Sequence, residues 1–469
     1  CLILYYVIKK PRIPHGLKKL PSPTGGIFYF GTIYGHYWQV EWAKRLGDIY
    51  SIEMGQQCWI ILTGDKVIGD LLQKRGGKYS SRPPNYYFYQ ILTRSKGFIN
   101  GPYNERYKML APIMLELLGQ RAVKENSDLI DSQFCILMQN LYRASMTKSI
   151  KDVEDPFYKE FEIFTKSYLE LIKITNRLSD FFPILRLFSG NKLYYRVIKE
   201  RRIIEAFYGR LIEEVKNDSE EKPCFIRRLL HKVDEKILDE LDIVYLTNDI
   251  FLAGTETVSS SLTWITAALA NNPQIQYKAH QELDQIIGHS RLPSASDEPN
   301  MPYIRAIIKE SQRYCGPIYL GVPHYNEEED EYNGYHIPAN SVIVLNQYGI
   351  HMDGRRYENP KEFKPERFFG ITESSAVLAN GNYQNRDHFG FGAGRRLCTA
   401  VHMAELELFL GISRLLWCFK IENASPLGKD GKPTPIDLEK AYVGATVWPE
   451  KYQIKFIKRH DNVENVLFG

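Results

Sequence analysis

One thiol in this chain is placed for chemistry. The run Phe391-Gly392-Ala393-Gly394-Arg395-Arg396-Leu397-Cys398 ends a loop with two glycines, just ahead of a stretch, Val401 to Trp417, that reads as a helix. Glycines let a backbone wrap closely round a bulky group. A sulfur at a helix N-terminus meets unpaired N–H groups and a dipole that favour the thiolate. Arg396 can reach an anionic group beside that sulfur. For a lone cysteine, the competing reading is a buried free thiol in a glycine-rich turn.

A second group is Ala253-Gly254-Thr255-Glu256-Thr257. Gly254 lets a small molecule approach the backbone. Thr257 offers a hydroxyl, and Glu256 is a proton source connected to solvent. Threonine also back-bonds in ordinary helices, so Thr257 alone would say little. A third group is Glu310-Ser311-Gln312-Arg313, whose ends face one side of a helix and can pair. Pro365-Glu366-Arg367-Phe368 follows it. A Glu–Arg pair by itself is usually a solvated surface pair.

These groups need elements to hold them. From about Asp239 to Asn271 the chain has no proline, one glycine at Gly254, and a stop at Asn271-Asn272-Pro273. That predicts a helix of roughly 45–50 Å, long enough to cross a domain. Its middle, Ile250 to Ala253, is apolar almost all round, which predicts burial. Residues from about 104 to 290 read mainly as helix. Ile49 to Glu53 and Cys58 to Thr63 suggest a hairpin around Gly55, and strand signals return at Ser341 to Asn346 and Tyr452 to Ile457. Composition and pattern alone say mainly α with a smaller β region.

The chain has 469 residues and a net charge of +4, too mild for nucleic acid binding. Its 7 cysteines are scattered, without a C-x-x-C pair, which argues against a disulfide framework or zinc site and for a reducing compartment. The first residue is Cys1, and Cys1 to Ile8 is apolar and followed by Lys9, Lys10 and Arg12. We read residues 1–12 as the end of a truncated N-terminal membrane anchor, with the body on the cytoplasmic side. The alternative is a buried N-terminal strand. Residues 13–469 are expected to form one catalytic domain.

The cysteine segment resembles the ligand loop of the cytochrome P450 family, F-x-x-G-x-R-x-C-x-G, through Phe391, Gly394, Arg396 and Cys398, with Ala400 in place of the last glycine. Residues 253–257 are similar to the family's A-G-x-[D/E]-T motif. Glu310, Arg313 and Arg367 match its E-x-x-R and P-E-R-F segments, which supply a Glu-Arg-Arg triad. All appear in family order, from about Leu20 to the C-terminus. The resemblance implies haem b (iron protoporphyrin IX) with Cys398 as metal ligand, and oxygen activation by O2 and two electrons near Ala253, Gly254, Glu256 and Thr257. The usual W-R-x-x-R is replaced by Tyr107, Lys108 and Ala111. Lys108 and His324 are candidate propionate donors, and a lone histidine is as often structural.

By the same analogy the substrate wall falls to Phe88, Phe98, Phe251, Ile318, Tyr319 and Val443, each of which could equally be core. The set is apolar, so a hydrophobic small-molecule substrate is expected. The chain has no flavin or nicotinamide motif, so electrons are expected from NADPH-cytochrome P450 reductase. Lys108, Lys364 and Arg395 are candidates for its docking face. The anchor places the enzyme at the endoplasmic reticulum membrane. A reductase-independent haem-thiolate enzyme and an inactive haem- or lipid-binding protein are the alternatives. Enzymes of the first kind often lack the acid–alcohol pair.

Overall fold

The structure, a computed structural model, describes residues 13–23, 36–54, 57–147, 156–172, 180, 190–219, 224–428 and 431–469. The expected anchor remnant at 1–12, the turn residues Thr24 to Gly26 and Gly55 lie outside them. Helix dominates, with small sheets. The helices that build the site are, in chain order, α1 Glu105–Leu118, α2 Pro156–Ile172, α3 Gly190–Asn217, α4 Glu240–Asn271, α5 Pro302–Tyr314 and α6 Val401–Cys418.

The predicted hairpin is present as β1 Ile49–Met54 and β2 Gln57–Leu62, antiparallel with Ile49 opposite Leu62. It joins β3 His324–Asn326 and β6 Ser341–Leu345 in a sheet of order β1-β2-β6-β3. β2 and β6 run parallel, so nearly the whole helical region forms the crossover between them. The pairs β4 Asp330–Tyr332 with β5 Tyr335–Ile337, β7 Phe419–Asn423 with β10 Ile454–Lys458, and β8 Ala441–Val443 with β9 Val447–Pro449 complete the β region.

Helix α4 has 32 residues, which at 1.5 Å each is about 48 Å. A reciprocal cap starts it: Asp242 N–H donates to Asp239 Oδ1 at 2.8 Å and Asp239 N–H donates to Asp242 Oδ2 at 2.9 Å. Pro273 opens the next helix and ends it. Two apolar cores meet along α4. Its first half, Ile243 to Leu252, packs with α1, α2 and α3. Its second half, Ile265 to Ala270, packs with α5 and α6. Burial is not continuous, contrary to expectation: Ala253, Gly254 and Thr255 are exposed between buried flanks. They lie in the gap that neither core fills.

Candidate active site

The cysteine loop is shaped by a carbonyl. Gly394 has φ +65, and a Cβ there would stand 1.9 Å from Leu72 O, so only glycine fits. Gly392, at φ +79, turns the chain so that its N–H donates to Phe389 O at 2.9 Å. Cys398 N–H then donates to Phe391 O at 2.9 Å and closes the loop. The Cys398 side chain is exposed, whereas Arg396 and Ala393 beside it are buried. Burial of the surroundings pushes the thiol up, and the Ala400 N–H at the head of α6 pulls it the other way. A cation at the sulfur would stabilise the thiolate.

Two residues before the thiol, Arg396 belongs to a group of cations without acids. Arg396 Nε donates to Ser80 O at 2.7 Å, Nη2 to Gly101 O at 2.6 Å and Nη1 to Phe98 O at 3.4 Å. Arg82 Nε donates to Ile99 O at 3.1 Å and Nη1 to Val322 O and Pro323 O at 2.7 and 2.9 Å. Neither guanidinium pairs with a carboxylate among the described residues. Burial, then Arg396, pushes Arg82 down to about 9, and burial pushes Arg396 down to about 10. His324 is buried with them, and burial, then Arg82, holds it near 3. Its Nδ1 lies 2.7 Å from Tyr79 O, so that nitrogen carries the hydrogen.

Lys108 stands apart: it is half exposed, pairs with Glu105 at 2.7 Å and lies over the Tyr103 ring. Tyr107, its neighbour, turns inward. Its hydroxyl donates to Arg395 O at 3.0 Å and its ring covers Arg396. Arg82 was missed by sequence reasoning. Its signal is an arginine followed by two prolines, in a segment that carries no acid.

The expected triad is assembled under the site. Arg313 and Glu310 form a two-point pair at 2.7 Å for each bond, with both side chains at 0% exposure. Arg367 Nε reaches Glu310 Oε1 at 3.4 Å, and Lys364 N–H donates to the same oxygen at 2.7 Å. Arg313 also donates to the carbonyls of His351 and Pro360, so the segment before the cysteine loop is fastened to α5. Buried Lys309 adds a pair with Asp387 at 2.6 Å, two residues before Phe389.

On α4, Thr257 Oγ1 donates to Ala253 O at 2.7 Å, which leaves its lone pairs free to accept. Nothing lies within 4 Å of a Cβ built on Gly254. Glu256 is partly buried, which raises its proton affinity, and Thr446 and Trp448 oppose that rise. Asp249, one turn before Ala253, is buried and receives Phe98 N–H and Ile99 N–H at 2.7 and 3.1 Å. It pins the loop that carries Phe98.

The proposed wall residues divide. Phe88 is buried edge-on to Tyr168 at 5.8 Å, and Phe98 stacks on Tyr107 at 4.9 Å. Phe251 packs against Phe161, Tyr208 and Phe225, among the roof helices. Tyr319 lies tilted against Tyr348 at 4.6 Å, in a core with Trp264 and Val447. Phe88, Phe98 and Tyr319 are thus buried in packed clusters, and Phe251 is partly buried against one of them. Ile318 and Val443 are partly buried.

The residues present fit a planar dianionic iron macrocycle: an accessible thiol, an open stretch of helix, and two buried guanidiniums lacking counter-ions. Comparisons with known proteins agree. The family profile described as Cytochrome P450 matches residues 91–456. A cytochrome P450 monooxygenase of Penicillium expansum, patI, is 31% identical over 461 residues, covering 91% of this chain and 86% of the relative. The cytochrome P450 monooxygenase atE of Aspergillus terreus is 30% identical, covering 84% of this chain and 79% of the relative. A zebra fish cytochrome P450 solved with progesterone superposes with a TM-score of 0.75 at 20% identity, covering 90% of this chain and 99% of that one.

Proposed function

The chain belongs to the cytochrome P450 family and is a haem-thiolate monooxygenase, and from that premise we propose that it hydroxylates a hydrophobic small molecule with electrons from an NADPH-dependent reductase. The observation that carries the haem assignment is the buried pair Arg82 and Arg396, which has no acid, with Arg396 two residues before an accessible thiol. Iron protoporphyrin IX brings two carboxylates to such a site. Cys398 would hold its iron, and Arg82, Arg396 and His324 would face its propionates. When bound, the haem supplies reductive activation of O2 and transfer of one oxygen atom to a C–H bond.

The chain's own residues do the rest. Glu256 holds a proton at its carboxyl, and the Thr257 hydroxyl accepts a hydrogen bond at the open stretch of α4. In this reading the partly buried Phe251, Ile318 and Val443 border the substrate, with Phe88, Phe98 and Tyr319 packed behind them. Residues 13–469 form one catalytic domain in this reading. Among the described residues no helix is long and apolar enough to cross a membrane. The apolar, then basic segment Cys1 to Arg12 supports an anchor in the endoplasmic reticulum membrane with the domain facing the cytoplasm. Lys108, Lys364 and Arg395 support a basic docking face for the reductase.

The test uses purified, haem-loaded protein. Reduced under carbon monoxide, it is expected to give the red-shifted Soret band of thiolate ligation, lost in Cys398→Ala. Turnover with NADPH, reductase and O2, but not with peroxide alone, supports reductase dependence. Absence of the thiolate-type band in intact holoprotein overturns the reading. A hydrophobic library screened for the spectral shift of displaced iron-bound water would identify the substrate class.

A further inference from the structure

The β8–β9 hairpin is stitched to the central helix along one stripe. Glu256, Ser260 and Trp264 stand four residues apart on α4 and share a face. Ser260 Oγ donates to Val447 O at 2.7 Å, and Trp264 Nε1 donates to the same oxygen at 2.8 Å. Val447 N–H donates to Pro317 O at 2.8 Å, so the hairpin is seated from two sides. One turn back along the stripe, Thr446 Oγ1 lies 3.2 Å from Glu256 Oε2, and Trp448 Nε1 lies 2.9 Å from Thr446 Oγ1. Thr446 is buried.

The first member fixes the direction of these bonds. An indole N–H only donates. Thr446 Oγ1 therefore accepts from Trp448, and its single hydrogen remains to donate to Oε2 of the Glu256 carboxylate. We propose that Thr446, oriented by Trp448, is a positioning residue for Glu256: its hydroxyl ties down Oε2 and favours the carboxylate, and so sets the pH at which the acid takes and releases its proton. The same hairpin carries Val443, so the segment that borders the substrate also sets the acid. This inference rests on the reading of Glu256 as the proton source.

No charged group among the described residues adjusts Glu256; burial raises its proton affinity, and the bonds from Thr446 and Trp448 lower it. Removing the hydroxyl removes a donor to the charged form and moves the titration upward. The test titrates holoenzyme by infrared difference spectroscopy, following the protonated-carboxyl band that Glu256→Gln abolishes. In Thr446→Val the midpoint is expected to rise by about one pH unit or more. Thr446→Ser restores it, and Trp448→Phe shifts it less, in the same direction. An unmoved midpoint in Thr446→Val overturns the inference, and should that variant fail to load haem, an unmoved midpoint in Trp448→Phe does so. The premise has its own readout, peroxide released per NADPH consumed. If Glu256→Gln leaves that ratio unchanged, the role of Glu256 falls and the proposal with it, whatever the infrared titration shows.

Discussion

The guanidinium carbon of Arg396 lies 3.6 Å from the centroid of the Tyr107 ring. The ring supplies a negative face to a buried cation that has no acid, a contact worth up to about 2 kcal/mol when desolvated. Tyr107→Ala is therefore expected to weaken haem retention, read as faster haem loss to a scavenging globin. Tyr107→Phe keeps the face, loses only the bond to Arg395 O, and is expected to retain haem nearly as well as the parent.

Glu310 and Arg313 form a fully buried pair, and removing one partner strands the other. Glu310→Gln is expected to cost about 3–5 kcal/mol of stability, measured by denaturant unfolding, with loss of bound haem. Arg367→Ala, which removes the longer 3.4 Å contact, is expected to cost closer to 1 kcal/mol.

Asp249 gives a pH dependence with a definite sign. Burial pushes its carboxyl up to about 6, from 3.8 when exposed, against the two backbone donors. The folded protein therefore binds more protons than the unfolded chain between those values. Asp249 is expected to lower stability as pH rises through that window, by about 3 kcal/mol in all. Asp249→Asn, whose amide oxygen can still accept from Phe98 and Ile99, should flatten that slope between pH 4 and 6. An equal slope in the two proteins would contradict the assignment.

Thr257 presents only acceptor capacity to the site, since its hydrogen is spent on Ala253 O. Thr257→Ala is expected to keep NADPH consumption and divert it to hydrogen peroxide. Product formed per NADPH is the measurement, and equal coupling in the variant would remove Thr257 from proton delivery.

The parts of the site legible in the sequence are those written at fixed spacing on one element. The cysteine loop, the acid–alcohol pair and the Glu310–Arg313 pair are such cases, and each stands where its spacing implied. The remainder depends on contacts between distant segments. Arg396 meets Ser80 across 316 residues, and Thr446 meets Glu256 across 190. No local pattern announces Asp249 or Thr446 as members of the site, and the Arg82-Pro83-Pro84 run does not say which distant carbonyls the arginine meets. Aromatic residues carry a different ambiguity: Phe88, Phe98 and Tyr319 suit a substrate wall and a packed interior equally well in sequence, and only burial and ring contacts show them packed in clusters.

Gly394 abuts Leu72 O so closely that the ligand loop takes its shape from the short helix Gly69–Lys74, far earlier in the sequence. A loop synthesised late is thus moulded on a template made early, and the two halves of the mould belong to opposite ends of the polypeptide. Such contacts are slow to find. Capture of the prosthetic group accordingly belongs to the last stage of maturation, when the whole chain has been made, and a fragment lacking either end would have a cysteine but no socket.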